Sequence, residues 1–223
     1  MRRDVVILGA GGFAREVLDV FEACNDREET YNVLGFVVDS RFGLPGTSIN
    51  DKEILGNLGW LAERAREVEV ICAVGAPEIR RSLVARAEAV GCRFCSVVHP
   101  NAVLTRRIEL GPGTVVTAGC ILTNNIRLGP HVHLNLDCTV GHDSVLEGFA
   151  TIAPGVHVSG NVRIGTGAYV GTGANILEKI TIGAWSVVGA GSTVIRDIPR
   201  GATAVGSPAK VIKESVEGLQ LGG

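Results

Sequence analysis

The stretch VGHDSVLEGFATIAPGVHVSGNVRIG, residues 140–165, shows the pattern that decides the fold of the second half of the chain. It has Val, Leu or Ile at every sixth position, and this spacing holds without exception from Val98 to Val194. The residue two before each aliphatic is apolar or small, and residues two apart on a strand share a face. Both sets are therefore predicted to point inward. A short period kept over so many repeats is typical of a solenoid, in which each repeat buries its apolar face against its neighbours.

These six-residue repeats resemble those of the hexapeptide-repeat acyltransferases. In that group, three hexapeptides form one triangular 18-residue coil of a left-handed parallel β-helix. The seventeen repeats of this chain would then form between five and six coils. At about 4.8 Å per coil, they would build a prism about 25 Å tall. No repeat is interrupted, so we expect no long loop to leave the prism, and the tail from Ile198 to Val211 departs from the spacing.

One corner of this coil collects residues suited to chemistry. Residues 18 apart lie on adjacent coils, so His142-Asp143 is predicted to stack between Asn124-Asn125 below and Gly160-Asn161 above. A histidine next to a carboxylate can act as a general base, and a sterically open glycine N–H can stabilise an oxyanion. The alternative is an exposed turn in which the histidine and the aspartate have no catalytic role.

The remaining histidines and the cysteines form no recognisable ligand set. His133 and His157 each precede an inward residue by one, so we expect both to face outward from flat sides of the coil. No two histidines have the five-residue spacing of the zinc ligands that some β-helix enzymes share between subunits. Cys92 and Cys95 form a lone CxxC without a second pair. We therefore expect no metal site.

The bulk composition excludes several functional classes. The formal net charge of -2 provides no broad basic field, so we expect neither a nucleic-acid partner nor an anionic membrane surface. No apolar run is long enough to span a bilayer, and the N-terminus is predicted to be a buried strand rather than a signal peptide. The six cysteines show no disulfide framework, which favours a reducing, cytoplasmic location.

The first half of the chain alternates strand and helix signals, which predicts a small Rossmann-like α/β domain with a parallel sheet and right-handed crossovers. We assign it to residues 1–97 and the solenoid domain with its tail to residues 98–213. The predicted strands are 4–10, 32–39, 68–75 and 93–98, the predicted helices are 13–24, 54–65 and 77–90, and residues 40–53 are predicted to be a loop.

The turn between the first strand and the first helix reads GAGGFA, residues 9–14. Small residues let backbone N–H groups approach a phosphate at the positive end of a helix. The string fits the dinucleotide fingerprint, and Asp39 ends the second strand. However, about four strands are too few for the two-halved dinucleotide fold, so a mononucleotide or a nucleotide-sugar is the better fit. The alternative is a tight turn with a purely structural role.

Together, the two halves resemble the PglD/NeuD family of bacterial sugar acyltransferases over nearly the whole chain. The resemblance implies an acetyl-CoA-dependent N-acetyltransferase that acts on the amino group of a UDP-, GDP- or dTDP-linked sugar for glycan biosynthesis. It also implies a homotrimer with the active site between subunits. The matching motifs are ILGAGGFA (7–14), VDS (38–40), VGAPEIRRSL (74–83), VVHPNA (97–102), VGHDSVLEGFATIAPGVHVSGNVRIG (140–165) and VGSPAK (205–210).

The resemblance implies a role for each matching position. His142 would be the catalytic base, Asp143 the acid that orients it, and Gly160 the oxyanion donor. The nucleotide-sugar would contact Gly9, Gly11, Gly12, Phe13, Asp39, Gly75 and Arg80. Acetyl-CoA, the co-substrate, would lie in a groove between adjacent β-helices and contact Gly160, Gly206, Pro208 and Lys210.

Two positions depart from the family pattern, and several functions stay open. Phe13 stands where many members have histidine, and Asp143 stands where some have glutamate. An O-acetyltransferase of sialic acid or a related sugar would use the same base. A dinucleotide-binding protein with an attached solenoid and a structural β-helix are more distant alternatives. The base, the sugar, the ring position and the length of the acyl group are not specified by the sequence.

Overall fold

The first domain is built on a six-stranded sheet. The structure, a computed structural model, describes residues 2–214. The strands are β1 (Arg3–Leu8), β2 (Tyr31–Val37), β3 (Ser48–Ile49), β4 (Lys52–Gly56), β5 (Glu69–Cys72) and β6 (Arg93–Phe94), and the helices are α1 (Gly12–Arg27), α2 (Leu58–Arg64) and α3 (Pro77–Ala89). The sheet order is β3-β4-β2-β1-β5-β6, and only β3 and β4 pair antiparallel. No helix within residues 2–214 reaches the length and hydropathy of a membrane span.

The sheet is covered on both sides, which explains the apolar run of β1. Val5, Val6 and Ile7 are completely buried, and α1 packs against the sheet through a stripe that includes Val17 and Phe21. From β1 the chain moves to β2 on one side and later returns to β5 on the other side. The strand order therefore reverses at the carboxyl ends of β1 and β5, which is where open α/β sheets bind ligands.

The segment 40–65 differs from the sequence prediction. Residues 54–65 were expected to form a helix, but Lys52–Gly56 forms β4 beside β2, and only Leu58–Arg64 is helical. The strand signal was missed because pairing with β2, a tertiary contact, decides the conformation here. Asn57 separates the two elements, since its side chain accepts the Gly59 N–H at 2.8 Å and caps the helix. The expected loop 40–53 also contains β3.

The second domain is a left-handed parallel β-helix with three flat faces, as predicted. The first face contains β7 (Val97–Val98), β10 (Val115–Val116), β13 (His133–Leu134), β16 (Thr151–Ile152), β19 (Tyr169–Val170), β22 (Val187–Val188), β24 (Thr203–Val205) and β25 (Lys210–Lys213). The second face contains β8 (Val103–Leu104), β11 (Ile121–Leu122), β14 (Thr139–Val140), β17 (His157–Val158), β20 (Asn175–Ile176) and β23 (Thr193–Val194). The third face contains β9 (Ile108–Leu110), β12 (Ile126–Leu128), β15 (Val145–Leu146), β18 (Arg163–Ile164) and β21 (Thr181–Ile182).

The coil has the predicted 18-residue register. On each face the strands pair in parallel with residues 18 apart, as Thr139 does with His157. In the series of aliphatic residues at every sixth position, every member from Val116 to Val194 is buried. The first three members, Val98, Leu104 and Leu110, are not fully buried, and Leu110 is 37% exposed. They lie on β7, β8 and β9, the edge strands of the three faces, with no coil beneath them.

The tail continues the prism with a shorter coil. Thr203 of β24 pairs with Val187, 16 residues earlier, instead of 18. This confirms that the tail leaves the six-residue spacing, yet Ala202 and Ala204 remain buried in the core. β25 then folds back antiparallel onto β24. The top of the first face therefore ends in a hairpin.

The connection between the domains falls inside the predicted strand 93–98. Arg93–Phe94 pairs with β5 in the first sheet, whereas Val97 pairs with Val115 in the β-helix. The transition therefore lies at residues 95–96, slightly before the expected boundary at residue 97. One apolar stretch of sequence thus supplies a strand to each of two sheets. The stretch itself contains no signal that it is divided in this way.

Candidate active site

His142 lies at the corner that joins the second and third faces, between β14 and β15. Its Nδ1 is 2.8 Å from Oδ2 of Asp143, and Oδ1 of the same carboxylate accepts a hydrogen bond from Asn125 Nδ2 at 3.0 Å. The His142 side chain is 60% exposed, so its ring is open to a ligand. We call Asn125, His142, Asp143 and Gly160 the His142 corner.

Gly160 lies one coil above His142, as the 18-residue arithmetic predicts. A Cβ at this position would be 2.6 Å from His142 Nε2. The backbone does not require glycine here, because the equivalent turn position is His142 in the coil below and Glu178 in the coil above. Among residues 2–214, no acceptor receives the Gly160 N–H. Gly160 therefore makes room for the imidazole ring and leaves a backbone donor free.

The electrostatics of the corner keep Asp143 ionised. The hydrogen bonds from His142 and then Asn125 lower the pKa of Asp143 from its usual value. An ionised carboxylate beside Nδ1 favours the tautomer with a proton on that nitrogen, and Nε2 is then the acceptor. Nε2 is the ring nitrogen that faces Gly160. The corner can therefore accept a proton from a substrate placed against Nε2.

A second site lies at the carboxyl ends of β1, β2 and β5. A cavity of about 850 Å³, here called the glycine-turn cavity, is formed by the three strand–helix junctions and by the first turns of α3. It lies at the reversal of strand order, where this class of sheet binds ligands. Six of the seven residues predicted to contact a nucleotide-sugar line it: Gly9, Gly11, Gly12, Phe13, Asp39 and Gly75.

The glycines of the turn have different roles. Gly9 has φ of +115°, and a Cβ there would approach Ala73 O and a Val74 methyl group at 3.1 Å. A Cβ at Gly11 would meet nothing within 4 Å. Gly9 thus shapes the turn, whereas Gly11 leaves open space beside the N-terminus of the 16-residue helix α1. That end carries a partial positive charge and unpaired N–H groups suited to a phosphate.

The other side of the cavity carries a charged pair that sequence analysis identified only in part. Arg41 binds Asp39 through both carboxylate oxygens, at 2.9 and 3.2 Å, and these hydrogen bonds lower the pKa of Asp39. Phe42 and Ile79 are also exposed in the cavity, at 75% and 56%. The exposed lining residues that were missed are Arg41, Phe42, Glu78, Ile79, Ser82 and Arg86. Two signals were present in the sequence. Arg41 and Phe42 follow Asp39 by two and three residues, and Glu78, Ile79 and Ser82 lie in the motif VGAPEIRRSL, residues 74–83.

Arg80 does not contact this cavity, which corrects the role implied for it. The side chain is fully buried, and Nε donates to His131 O at 3.1 Å. Its terminal nitrogens donate to the carbonyls of Val74, Gly75, Phe149 and Ala150 and to the Thr151 hydroxyl. All donor groups of the guanidinium are therefore used within the protein, and none is left for a nucleotide.

The Arg80 contacts connect the two domains. We call Arg80, its acceptors and the adjacent rings of His131 and His133 the Arg80 junction. Burial lowers the pKa of Arg80 to about 10, so the guanidinium stays charged at neutral pH. Burial, together with the Arg80 charge, lowers the pKa of His131 to about 4 and holds that of His133 well below its usual value. Both imidazoles are therefore neutral at pH 7.

The structure also accounts for the other histidines. His157 is exposed on the second face, as expected, with Nδ1 2.9 Å from the Thr139 hydroxyl. His133 points outward from the first face as expected, but it is completely buried because the first domain covers it. Its ring lies 4.9 Å from that of Phe13, centroid to centroid. Residues 2–214 contain no cluster of three metal-ligating side chains.

The residues implied for acetyl-CoA binding lie at the top of the prism. Gly206 and Pro208 are in the exposed turn between β24 and β25, and Lys210 begins β25 with an exposed side chain. This turn is tied to the second face, because the Ala209 N–H donates to Thr193 O at 2.8 Å. Gly160 lies lower, at the His142 corner. A ligand that contacts both places would run along the second face.

The His142 corner and the glycine-turn cavity lie on different sides of one chain. The first domain packs on the first face, where Phe13 meets His133 and Arg80 meets Thr151. His142 follows β14 on the second face and precedes β15 on the third face. In a triangular coil, that corner is across the prism from the first face. The structure thus brings His142, Asp143 and Gly160 together but leaves the cavity apart from them.

Comparison with known proteins identifies relatives of both halves. A family profile described as the PglD N-terminal domain matches residues 4–87. A comparison with curated protein sequences gives no significant match. Among solved structures, a histidine mutant of perosamine N-acetyltransferase from Caulobacter crescentus, in complex with CoA and GDP-perosamine, is 30% identical. That match covers 95% of this chain and 97% of the other, with a TM-score of 0.85.

Two further structures match over the same length. The acetyltransferase domain of PglB from Neisseria gonorrhoeae, in complex with acetyl coenzyme A, is 33% identical, with 95% of this chain and 100% of the other covered and a TM-score of 0.86. WeeI from Acinetobacter baumannii is 31% identical, with 94% and 100% covered and a TM-score of 0.84. The chain therefore belongs to the PglD/NeuD-like family of sugar acyltransferases and is an acyltransferase.

Proposed function

We propose that the protein transfers the acetyl group of acetyl-CoA to the amino group of a nucleotide-linked sugar, with His142 as the general base. The acceptor is a UDP-, GDP- or dTDP-linked amino sugar of a glycan pathway. The observation that carries the proposal is the His142 corner, where a base, an orienting carboxylate and a free backbone N–H meet in an exposed position. Two of the matching structures hold CoA or acetyl-CoA, and one also holds a GDP-linked sugar.

The chemistry follows from the positions of these groups. The neutral sugar amine attacks the thioester carbonyl, and His142 Nε2 accepts a proton from the attacking nitrogen. The Gly160 N–H stabilises the oxyanion of the tetrahedral intermediate. When the intermediate collapses, the carbon–sulfur bond breaks, and the imidazolium returns its proton to the leaving thiolate. Asp143 orients the ring and stabilises its charged form. The products are the amide and free CoA.

The glycine-turn cavity supports the nucleotide part of the acceptor. The diphosphate would bind at the open space beside Gly11 and the N-terminus of α1, and Gly12 lies in the same turn. Arg41 and Arg86 would provide positive charge on the opposite wall, and Phe42 an exposed aromatic surface for the base. Asp39 would contact the ribose or the base, and its carboxylate would at the same time keep its hydrogen bond from Arg41.

The second face supports the path of acetyl-CoA. The VGSPAK turn is anchored to Thr193 at the top of this face, and Thr139 lies at the level of His142. Three coil steps separate the two threonines, which is about 14 Å along the prism. An extended pantetheine arm can cover such a distance, so Gly206, Pro208 and Lys210 would hold the nucleotide end while the thioester reaches Gly160.

The separation of the two sites supports a homotrimer with the active site between subunits. A sugar held in the glycine-turn cavity of one chain would meet His142 of a neighbouring chain, because its own His142 is across the prism. Six free cysteines are consistent with a reducing compartment, and we place the enzyme in the cytoplasm.

The proposal is tested by the release of free thiol from acetyl-CoA with UDP-, GDP- and dTDP-linked amino sugars as acceptors. We expect turnover with one of these nucleotides and at least about a hundredfold lower kcat in His142→Ala. Because His142 is exposed, its substitution should leave the melting temperature unchanged. Turnover of His142→Ala at the wild-type rate would exclude this residue as the base. Acetylation of free sialic acid alone would favour the O-acetyltransferase.

A second experiment tests whether each active site combines residues of two subunits. His142→Ala chains and Gly11→Asp chains, each inactive alone, would be unfolded, mixed in equal amounts and refolded. If each site combines two chains, about a quarter of the sites should receive an intact cavity and an intact base. A mixture that remains inactive would show that both parts come from the same chain.

A further inference from the structure

A column of residues in left-handed backbone conformation runs along the corner that contains His142. Asn125, Asp143, Asn161 and Lys179 occupy the same turn position in four successive coils, with φ of 51°, 59°, 58° and 62°. Three of them also share one backbone hydrogen bond, since the N–H groups of Asp143, Asn161 and Lys179 each donate to the carbonyl 19 residues earlier. The members of the column therefore share one backbone conformation and differ in their side chains.

Asn125 and Asn161 flank Asp143 symmetrically in sequence but not in contacts. The Asn125 amide donates to Asp143 Oδ1 at 3.0 Å, and the other carboxylate oxygen faces His142 Nδ1 at 2.8 Å. Among residues 2–214, the Asn161 side chain makes no hydrogen bond. We propose that Asn125 is a positioning residue, which fixes the carboxylate plane of Asp143 so that Oδ2 stays directed at His142 Nδ1.

The exposure of the corner explains why such a residue is needed. The Asp143 side chain is 46% exposed, so a carboxylate with a single partner could rotate and exchange that partner for water. An amide donor one coil below restrains the second oxygen, and it cannot titrate near neutral pH. The same hydrogen bond contributes, after that of His142, to the lowered pKa of Asp143. Asn125 thereby helps to hold the imidazole with Nε2 free.

The role in catalysis rests on the proposed function, and paired glycine variants test it. Asn125→Gly removes the amide donor, and Asn161→Gly is the matched control in the next coil but one. Glycine accepts positive φ without strain, so both variants should fold with the wild-type melting temperature. We expect Asn125→Gly to lower kcat about three- to tenfold with unchanged KM for both substrates. The control should keep the wild-type kcat.

A second readout needs no turnover. The pKa of the Asp143 carboxyl, followed by carbon-13 NMR, should rise in Asn125→Gly and stay unchanged in Asn161→Gly. Asn125→Asp, which replaces the donor by a second carboxylate, should raise the pKa of Asp143 more than glycine does. An unchanged Asp143 pKa, an unchanged kcat, or equal losses in both glycine variants would overturn the inference. If the wild-type enzyme does not transfer acetyl groups, the proposed function fails, whereas the NMR titration still decides the placement of Asp143.

Discussion

At the His142 corner, the polar groups belong to residues 18 apart on neighbouring coils and remain exposed, whereas at the Arg80 junction they belong to two domains and are buried. His142 and Asp143 are 60% and 46% exposed, and Arg80 is fully buried. Water can replace a lost partner at the corner but not at the junction. The corner should therefore tolerate substitution without loss of stability, and the junction should not.

The distance along the chain also differs. Asn125 reaches Asp143 over one coil, but the Arg80 contacts with His131 and Thr151 span 51 and 71 residues. The corner forms wherever the coil forms, while the junction requires both domains to be folded and docked. The proposed base is thus placed by a local repeat, whereas the position of the first domain depends on a long-range buried cation.

Arg80→Met should have the largest effect on stability. It leaves the carbonyls of His131, Val74 and Phe149 and the Thr151 hydroxyl without their donor. The Ala150 and Gly75 carbonyls each keep a second donor. We expect the free energy of unfolding, measured with urea, to fall by about 3–5 kcal/mol. The control is Arg81→Met, which removes an exposed guanidinium from above the Trp185 ring and should cost less than about 1 kcal/mol. Equal losses in the two variants would contradict the distinction between buried and exposed sites.

The sequence predicted the β-helix well because its spacing is local and strict. The aliphatic residues at every sixth position from Val116 to Val194 are buried as expected, and the 18-residue step correctly placed Asn125 beside Asp143 and Gly160 beside His142. Whether Asp143 would accept a hydrogen bond from Asn125 below or from Asn161 above was not predictable, because both side chains offer an amide donor. Sequence reasoning thus identified the members of the corner but not the direction of their hydrogen bonds.

The junction was missed because it depends on domain docking. His133 faces outward from its coil as predicted, but nothing in the repeat indicates that another domain covers it. One signal was present: Arg80, Val84 and Ala87 form one buried stripe of α3, at helical spacing. An arginine within an apolar stripe of a helix indicates a side chain buried in a contact within the protein rather than one that contacts a bound ligand. Strand β4 was missed for a related reason, since its pairing with β2 is a tertiary contact.

Mild acid should destabilise the junction before it affects the carboxylates of the corner. Below about pH 6.5 an unfolded chain protonates its histidines, whereas folded His131 has a pKa of about 4 and the pKa of folded His133 is also well below its usual value. The unfolded state then binds more protons, so stability falls as the pH decreases through this window. The slope is at most about 1.4 kcal/mol per pH unit for each buried histidine. Groups with a lowered carboxyl pKa, such as Asp143, lose their contribution only below about pH 4.

Urea unfolding between pH 6.5 and 4.5 measures this slope, and His131→Phe should reduce it by about half. Phenylalanine is a suitable replacement because Phe149 adopts the same left-handed conformation one coil above, with φ of 63°. A stability that is constant across this range would mean that the folded chain protonates these rings without penalty, contrary to their burial beside Arg80.

Gly160→Ala should have the smallest effect and the most selective one. The added methyl group would be 2.6 Å from His142 Nε2, so the ring must turn away, and an exposed ring can do so at little cost in stability. The backbone tolerates a side chain at this turn position, as His142 and Glu178 show in adjacent coils. We expect about a tenfold lower kcat, because small displacements of a base reduce proton transfer steeply. The melting temperature should remain that of the wild-type enzyme.

Asn124→Ala is the matched control. Asn124 has the same turn position one coil below His142, and its replacement by alanine adds no atom near the His142 ring. It should keep the wild-type kcat. A Gly160→Ala enzyme with full activity would show that the ring position seen at the corner is not the catalytic one. A Gly160→Ala enzyme that unfolds would instead show that exposed and buried polar sites on this β-helix respond alike to substitution. A lower kcat at an unchanged melting temperature would support the distinction between the corner and the junction. It would show that the position of the proposed base can change without loss of stability of the coil that carries it.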